Sequence, residues 1–446
     1  MSFSTYIKKN FFMRGARVPE NKVTAEMPTV EMPIPETIVL PMQQHVGALC
    51  KPVVKRGDHV DVGTLVGHAD KALAADIFSS VSGTVTGIVP AYYSSGKTDQ
   101  TVVIATDGLQ TVDPHVVPPE VHDKESFLEA MNHSGIVGLG GAGFPTDIKL
   151  APKNLDEIET LVVNGAECEP YLSSDYREMI ENADDILFGL RSCMKYLDIP
   201  KGIIAIEENK PKAIEHLTKL TQDDPTITVR TLPSMYPQGA HHILLYNMTG
   251  KEVPRGQRST VIGAMIFNVT TISKIGLFLR TGMPLVTRRI TVAGDAVERP
   301  ANVQIAIGTR IHDLMDFCGL KKEPRKVVMG GPMMGNAVVD LGYPVVRQNS
   351  GLLVFADENV MYPESTPCIK CGRCVRSCPM RLNPVGIQNA YNKNDLERMD
   401  YLKADMCISC GTCSYVCPAK QPLTQTTKLA RNAVRAEQRK QRKKRA

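Results

Sequence analysis

Residues 368–379 read CIKCGRCVRSCP and residues 407–418 read CISCGTCSYVCP. Both follow Cys-x2-Cys-x2-Cys-x3-Cys-Pro, and together they hold eight of the chain's 12 cysteines. Three thiolates two residues apart wrap one corner of an iron–sulfur cubane in a tight loop. The fourth leaves toward the neighbouring site and serves the other cluster. The spacing therefore predicts two [4Fe-4S] clusters with exchanged ligands. Cluster I would take Cys368, Cys371, Cys374 and Cys417; cluster II would take Cys407, Cys410, Cys413 and Cys378. Structural zinc sites favour two ligand pairs across a wide gap, not four cysteines within eleven residues followed by proline. Two cubanes held this close suit electron transfer.

The runs differ between their cysteines. The first carries Lys370, Arg373 and Arg376, the second Ile408, Ser409, Thr412 and Ser414. Positive charge and hydrogen bonds to sulfur raise cluster potentials, so the bases mark cluster I as the higher-potential site. The remaining cysteines, Cys50, Cys168, Cys193 and Cys318, are scattered and read as small buried side chains.

Beyond the second run, residues 428–446 hold nine Lys or Arg against the single acid Glu437, a charge of +8. The whole chain carries +5, so the rest sums to 5 − 8 = −3. The basicity belongs to this tail. It reads as a solvated helix end, as a docking element for a membrane partner or anionic lipid, or as a nucleic-acid contact; the last is not expected. Each base near an anionic bilayer contributes about 1 kcal/mol.

Upstream, 446 residues at 43% hydrophobic and 22% charged have the balance of a multidomain globular protein. The first residues have neither a long apolar core nor a cleavage site, so no signal peptide is read. The uncharged stretch 259–273 spans 15 residues, short of the ~20 a membrane helix needs. A soluble or peripheral protein is expected.

The fold class is multidomain α/β and α+β. Residues 1–115 form an N-terminal β barrel or sandwich-hybrid, because short β-branched runs from Ile34 to Ala105 are cut by turns such as Gly57-Asp58 and Ser82-Gly83. Its KRGDHVDVGTLVG and SSVSGTV segments are similar to biotinyl and lipoyl carrier hairpins. Lys71 lacks the setting of a modified lysine, so the barrel reads as structural. Residues 120–288 alternate helices and strands, with a strand at Thr160–Asn164 and one long amphipathic helix near Tyr176–Tyr196, as an α/β domain with a parallel sheet does. Residues 289–356 form a β-grasp-like (SLBB) module around a helix at His312–Cys318. Residues 362–422 are the two-cluster ferredoxin-like domain, and 423–446 a basic helix or tail.

The α/β domain opens on GIVGLGGAGFPT (135–146), and its first strand runs into NGAECEP (164–170). Glycines at 138, 140, 141 and 143 let backbone approach a flat or phosphorylated ligand. No strand runs directly into them, so this is not the dinucleotide fingerprint. The polar loop leaves a strand's carboxyl end, where open α/β sheets hold ligands.

GLGGAGFPTxxxKL followed by VNGAECEP resembles the flavin-binding region of the FMN/NADH subunit of respiratory complex I. The whole order is similar to the RnfC family, which serves the Rnf ion-translocating electron-transport complexes. PENK (19–22), QQHVGALCKPVVKRGD (43–58), FSSVSGTV (78–85), YPQGA (236–240) and MTGKEVP (248–254) join the cysteine runs in that likeness. The resemblance implies non-covalent FMN on the α/β domain, NAD(H) as substrate stacked over it, and the clusters as a wire. It assigns Gly138, Gly140, Gly141, Gly143 and Lys149 to the FMN phosphate and ring edge. Asn164, Glu167, Asn268 and Thr271 would surround the flavin; Phe144 and Glu169 would lie on the nicotinamide side.

Val137 and Leu139 stand where the complex I relatives have arginines, and His241 and His242 where they have an acid. The two histidines read as an exposed first helical turn before they read as a binding group. By the resemblance the chain is an oxidoreductase subunit without a catalytic acid or base. It would be peripheral on the cytoplasmic face of the membrane, with integral membrane and Fe-S subunits as partners and ferredoxin reached indirectly. A soluble NADH-dependent reductase of another acceptor, such as a corrinoid, and a non-catalytic Fe-S adaptor are the alternatives. Coupling ion, direction and the order of the clusters are not legible.

Overall fold

The computed structural model describes residues 14–71, 73–92, 98–357 and 364–445. Residues 14–31 run ahead of the barrel without joining it. Their strand β1 (Val30–Glu31) pairs in parallel with residues 303 and 304, far along the chain. The barrel itself has two sheets. β2 (Thr37–Pro41), β4 (His59–Val60), β7 (Gly83–Tyr92) and β8 (Thr98–Thr106) order as β2-β8-β7-β4. The second sheet is β3 (Lys51–Pro52), β5 (Leu65–His68) and β6 (Ile77–Phe78). Ile38, Leu40, Val85, Val102 and Ile104 point inward and are fully buried. They continue into the core of the next domain through Phe127, Val137, Leu139 and Ile272.

After α1 (Lys124–Asn132) and α2 (Thr146–Leu150), an all-parallel sheet is built from β9 (Thr160–Gly165), β10 (Lys201–Glu207), β11 (Ile227–Leu232) and β12 (Ala264–Asn268). Its order, β11-β10-β9-β12, reverses between β9 and β12. Such a reversal opens a crevice at the strands' carboxyl ends. The single helix expected near Tyr176–Tyr196 is two, α3 (Ser174–Glu181) and α4 (Ala183–Tyr196), broken at Asn182. Arg289 fixes the break by donating to the Asn182 Oδ1 at 2.8 Å and to Glu181 at 2.9 Å. Helix α5 (Pro211–Leu220) links β10 to β11, and α6 (His241–Thr249) precedes β12. Sequence reading passes over β12 and the following α7 (Val269–Thr281), because their apolar run is weighed there only as a membrane span. No helix among the described residues is long and apolar enough to cross a membrane.

The third module joins β13 (Thr287–Ala293), β14 (Ala301–Ala306), β15 (Lys326–Met329), β16 (Asn336–Ala337) and β17 (Gly351–Phe355) with β1, in the order β1-β14-β13-β17-β15-β16, around helix α8 (Ile311–Cys318). Buried arginines lock it onto its neighbours. Arg347 donates to the Gly135 carbonyl at 2.8 Å and to that of Asp76. Arg288 donates to the Leu139 and Asn349 carbonyls. Buried guanidinium groups need such acceptors.

The cysteine-bearing domain has short helices α9 (Arg373–Ser377), α10 (Pro384–Asn392), α11 (Leu396–Tyr401) and α12 (Thr412–Tyr415), then α13 (Leu423–Arg445). The first half of α13 is core rather than tail: Leu423, Ala430 and Val434 are buried. Arg439, Lys440 and Arg442, beyond it, are exposed as the solvated-helix reading expects.

Candidate functional site

The carboxyl ends of β9 and β12 place Asn164 and Asn268 side by side in register. Asn268 caps α7, its side-chain oxygen accepting from the Thr270 amide at 3.0 Å, and its amide group donates to Asp175 at 2.7 Å. Thr271 accepts from the Leu139 amide at 3.0 Å and so holds the glycine loop over the crevice. The loop needs its glycines here. A Cβ on Gly140 would lie 2.8 Å from Asn268, and one on Gly143, at φ +70°, would lie 3.2 Å from His45 of the barrel. Gly141 faces open space, while Gly138 donates to the Phe144 carbonyl at 2.8 Å.

Lys149 projects from α2 with its ammonium 4.3 Å from the centre of the Phe267 ring. Among the described residues no carboxylate pairs with it, and burial lowers it to about 8. A half-buried cation without an anion, beside a loop open to close approach, fits a phosphate-bearing flavin. His241 and His242 open α6 with rings 5.7 Å apart; His241 is exposed and His242 half-buried, so the exposed-turn reading holds for the first of them only.

The acidic loop after β9 is held from outside. Lys22 donates to the carbonyls of Glu167 and Glu169 at 2.9 Å each, and to that of Leu172. Lys210 donates to the Ala166 carbonyl at 2.6 Å and pairs with Glu207 at 3.5 Å. Glu167 spends both oxygens on the N-terminus of α3, accepting from the Asp175 and Tyr176 amides at 2.7 and 3.2 Å. Glu167, Asn268 and Thr271 are thus brought to the crevice with polar atoms already engaged. Asn164 likewise donates to the Gly239 carbonyl at 3.0 Å.

Glu169 accepts from the Met333 amide at 3.0 Å, and burial pushes its carboxyl up to about 7. The Tyr236 hydroxyl lies 2.6 Å from the Cys410 carbonyl and 3.3 Å from Glu169 Oε1. A phenol has one proton, and a carbonyl only accepts, so the shorter contact takes it. Glu169 Oε1 is the more distant acceptor facing the same hydroxyl. The flavin crevice and the second cysteine run therefore meet through one buried side chain. Sequence reading assigns no role to Lys22 or Tyr236, although the PENK and YPQGA segments contain them.

The structure sets Cys378 beside the second run and Cys417 beside the first. Cys378 lines a small, mostly apolar cavity together with Cys407, Cys410 and Cys413. Burial pushes the Cys413 thiol up to about 12, with Cys410, Cys407 and Cys378 beside it. Cys374 is raised by burial, with Cys417 and Cys368 beside it. Soft sulfur ligands gathered in this way suit iron–sulfur cubanes. The hydroxyls of Thr412, Thr424 and Thr427 lie 3.3, 3.6 and 3.6 Å from the sulfurs of Cys410, Cys413 and Cys407. Backbone amides reach sulfur in both runs, Lys370 to Cys368 at 3.5 Å and Ser409 to Cys407 at 3.4 Å. Two of those hydroxyls come from α13, which sequence reading sets apart as a tail.

Four families match along the chain: the RnfC barrel sandwich hybrid domain at residues 10–109, the Nuo51 FMN-binding domain at 131–276, the SLBB domain at 289–337 and the 4Fe-4S dicluster domain at 360–418. The chain is 40% identical to the C component of the proton-translocating ferredoxin:NAD(+) oxidoreductase complex of Clostridium ljungdahlii, over 83% of this chain and 82% of that one. It is 39% identical to the corresponding component of the Na(+)-translocating ferredoxin:NAD(+) oxidoreductase complex of Acetobacterium woodii, over 97% and 99%. That of the ion-translocating oxidoreductase complex of Rhodobacter capsulatus is 36% identical over 87% and 76%. An NAD+-reducing [NiFe]-hydrogenase structure shares the fold, at a TM-score of 0.50 and 14% identity over 70% of this chain and 63% of that one. An FMN-binding domain and a two-cluster domain joined by a barrel and an SLBB module make this an electron-transfer subunit, and the chain belongs to the RnfC family of ion-translocating oxidoreductase complexes.

Proposed function

We propose that electrons cross this subunit between NAD(H) and a partner by way of FMN, then cluster II, then cluster I. The observation that carries the order is the Tyr236 hydroxyl, which spans Glu169 at the flavin crevice and the Cys410 carbonyl of the second run. Bound FMN exchanges a hydride with NAD(H) and single electrons with the clusters. The chain's own residues orient and insulate. Lys149 is the cation for FMN, and Gly138, Gly140, Gly141 and Gly143 admit it. Asn268 and Thr271 hold the glycine loop in place, while Phe144 and Glu169 border the nicotinamide. Cys368, Cys371, Cys374 and Cys417 hold cluster I; Cys407, Cys410, Cys413 and Cys378 hold cluster II.

The subunit sits peripherally on the cytoplasmic face of the membrane, docked to integral membrane and Fe-S subunits, with the basic end of α13 adding attraction to anionic lipid. Anaerobic purification followed by flavin extraction, iron counting and NADH addition tests the reading. One flavin, about eight irons per chain and NADH-dependent bleaching of both chromophores are expected. Clusters without flavin, inert to NADH, would leave the adaptor reading instead. High salt that fails to release the protein from membranes would remove α13 as the main anchor.

A further inference from the structure

The cluster I end of the proposed path has a surface suited to a particular kind of partner. Cys368 is exposed, whereas Cys374, Cys378, Cys410, Cys413 and Cys417 are buried. Lys370, two residues along, is exposed, and so are Arg373, Arg376 and Lys420. Among the described residues no carboxylate pairs with any of them, in contrast to Arg255, which is held by Asp400 and Asp405 at 2.6 and 2.5 Å. Arg373, Arg376 and Lys420 border an open groove with Cys417 in its wall and Tyr415 along one side. Tyr415 is 46% exposed and Ile369, next to Cys368, is 66% exposed. A basic groove that reaches Cys417, on the same cysteine set as the exposed Cys368, with exposed Tyr415 and Ile369 nearby in the sequence and the groove, is a surface for brief, steered contact.

We propose that this face docks an acidic redox protein whose carboxylates surround its own cofactor, and that electrons enter or leave the subunit here through cluster I. The proposal rests on the cluster order given above. A bilayer would answer the charge but offers no acceptor for an electron at Cys368. A small anion would leave the groove and the apolar side chains uncovered. Opposite charge steers encounter and raises association rates by roughly 10- to 1,000-fold at low salt, an advantage that screening removes.

The test uses the full chain with FMN and both clusters, and a small acidic two-cluster ferredoxin as probe. Chemically reduced ferredoxin and NAD+ are mixed and NADH formation is followed; each NADH takes up one proton and two electrons, both supplied by the ferredoxin. Wild type should react fast at low salt and slow steeply as salt rises. The R373E/R376E/K420E variant should be slower by at least about tenfold and indifferent to salt. Binding of oxidised ferredoxin to oxidised protein, which is independent of potentials, should weaken in parallel, also in R373Q/R376Q/K420Q. A wild-type rate that ignores salt, a variant as fast as wild type, or a loss confined to anionic vesicle binding overturns the docking surface. Reduction of the clusters by NADH, followed in the same preparations, separates the two ideas. Failure there in wild type breaks the internal path, whereas success there with no charge effect breaks only the docking face.

Discussion

The Cys368–Cys378 run opens at the surface with Cys368 exposed and exposed bases along it, whereas the Cys407–Cys417 run is pressed against Tyr236 and Met333 with threonine hydroxyls on its sulfurs. A Cβ on Gly411 would lie only 2.8 Å from the Met333 carbonyl, so the second loop sits flush on the SLBB module. Identical spacing specifies the same cofactor twice; position and surroundings separate an inner site from an outer one. The contrast also recasts the expected difference in potential. Bases at the first run are exposed and screened by water and salt, while the hydroxyls at the second act directly on sulfur in a buried setting.

The largest expected effect cuts the supply to the inner site. Lys149→Met removes the cation for FMN, and charge-assisted hydrogen bonds contribute about 1.5–3 kcal/mol, so flavin affinity should fall about 10- to 100-fold. Flavin retained per chain measures this, and the cluster spectra should not change. Tyr236→Phe comes next. It leaves the Cys410 carbonyl unpaired at a cost of about 1–3 kcal/mol, lowering the unfolding midpoint. It should alter the paramagnetic resonance of reduced cluster II and leave that of cluster I alone; equal changes in both would break the inner–outer distinction.

A smaller shift sharpens the comparison of potentials. A cluster-bound thiolate can only accept, so the Thr412 and Thr424 hydroxyls turn to donate to it. Thr412→Val with Thr424→Val should lower the cluster II midpoint by tens of millivolts, taking ~59 mV per tenfold for one electron. Replacing Lys370, Arg373 and Arg376 by Gln should lower cluster I by less. A redox titration finding the larger shift at cluster I would restore the sequence-based expectation.

The smallest effect is on stability against pH. The folded Glu169 carboxyl titrates near 7, above its ordinary value of 4.5. The native chain therefore keeps a proton that the unfolded chain releases, and this contribution, whole below 4.5, is lost as pH rises toward 7. Glu207, raised by burial to about 7, acts in the same sense. Glu169→Gln should flatten the decline in urea midpoint between about pH 5 and about pH 8, by on the order of 1 kcal/mol.

The proposed cluster ligands are legible in the sequence because a covalent spacing rule names them whatever the fold does around them. The barrel and most of the parallel sheet are legible because glycine turns and apolar periodicity are local. What escapes is contact at long range. Lys22 reaches Glu169 across 147 positions and Tyr236 reaches Cys410 across 174, and no local pattern announces either. The break at Asn182 depends on Arg289 from another module. The threonines of α13 look like ordinary helix residues until the helix folds back over Cys407 and Cys413.

The order of the two sites is tested most directly by removing one cluster at a time and adding NADH. In Cys371→Ser, which lacks a cluster I ligand, NADH should still reduce the remaining cluster at about the wild-type rate. In Cys410→Ser, which lacks a cluster II ligand, dithionite should reduce cluster I while NADH does not. Cluster I reduced by NADH in Cys410→Ser as fast as in wild type would contradict the account.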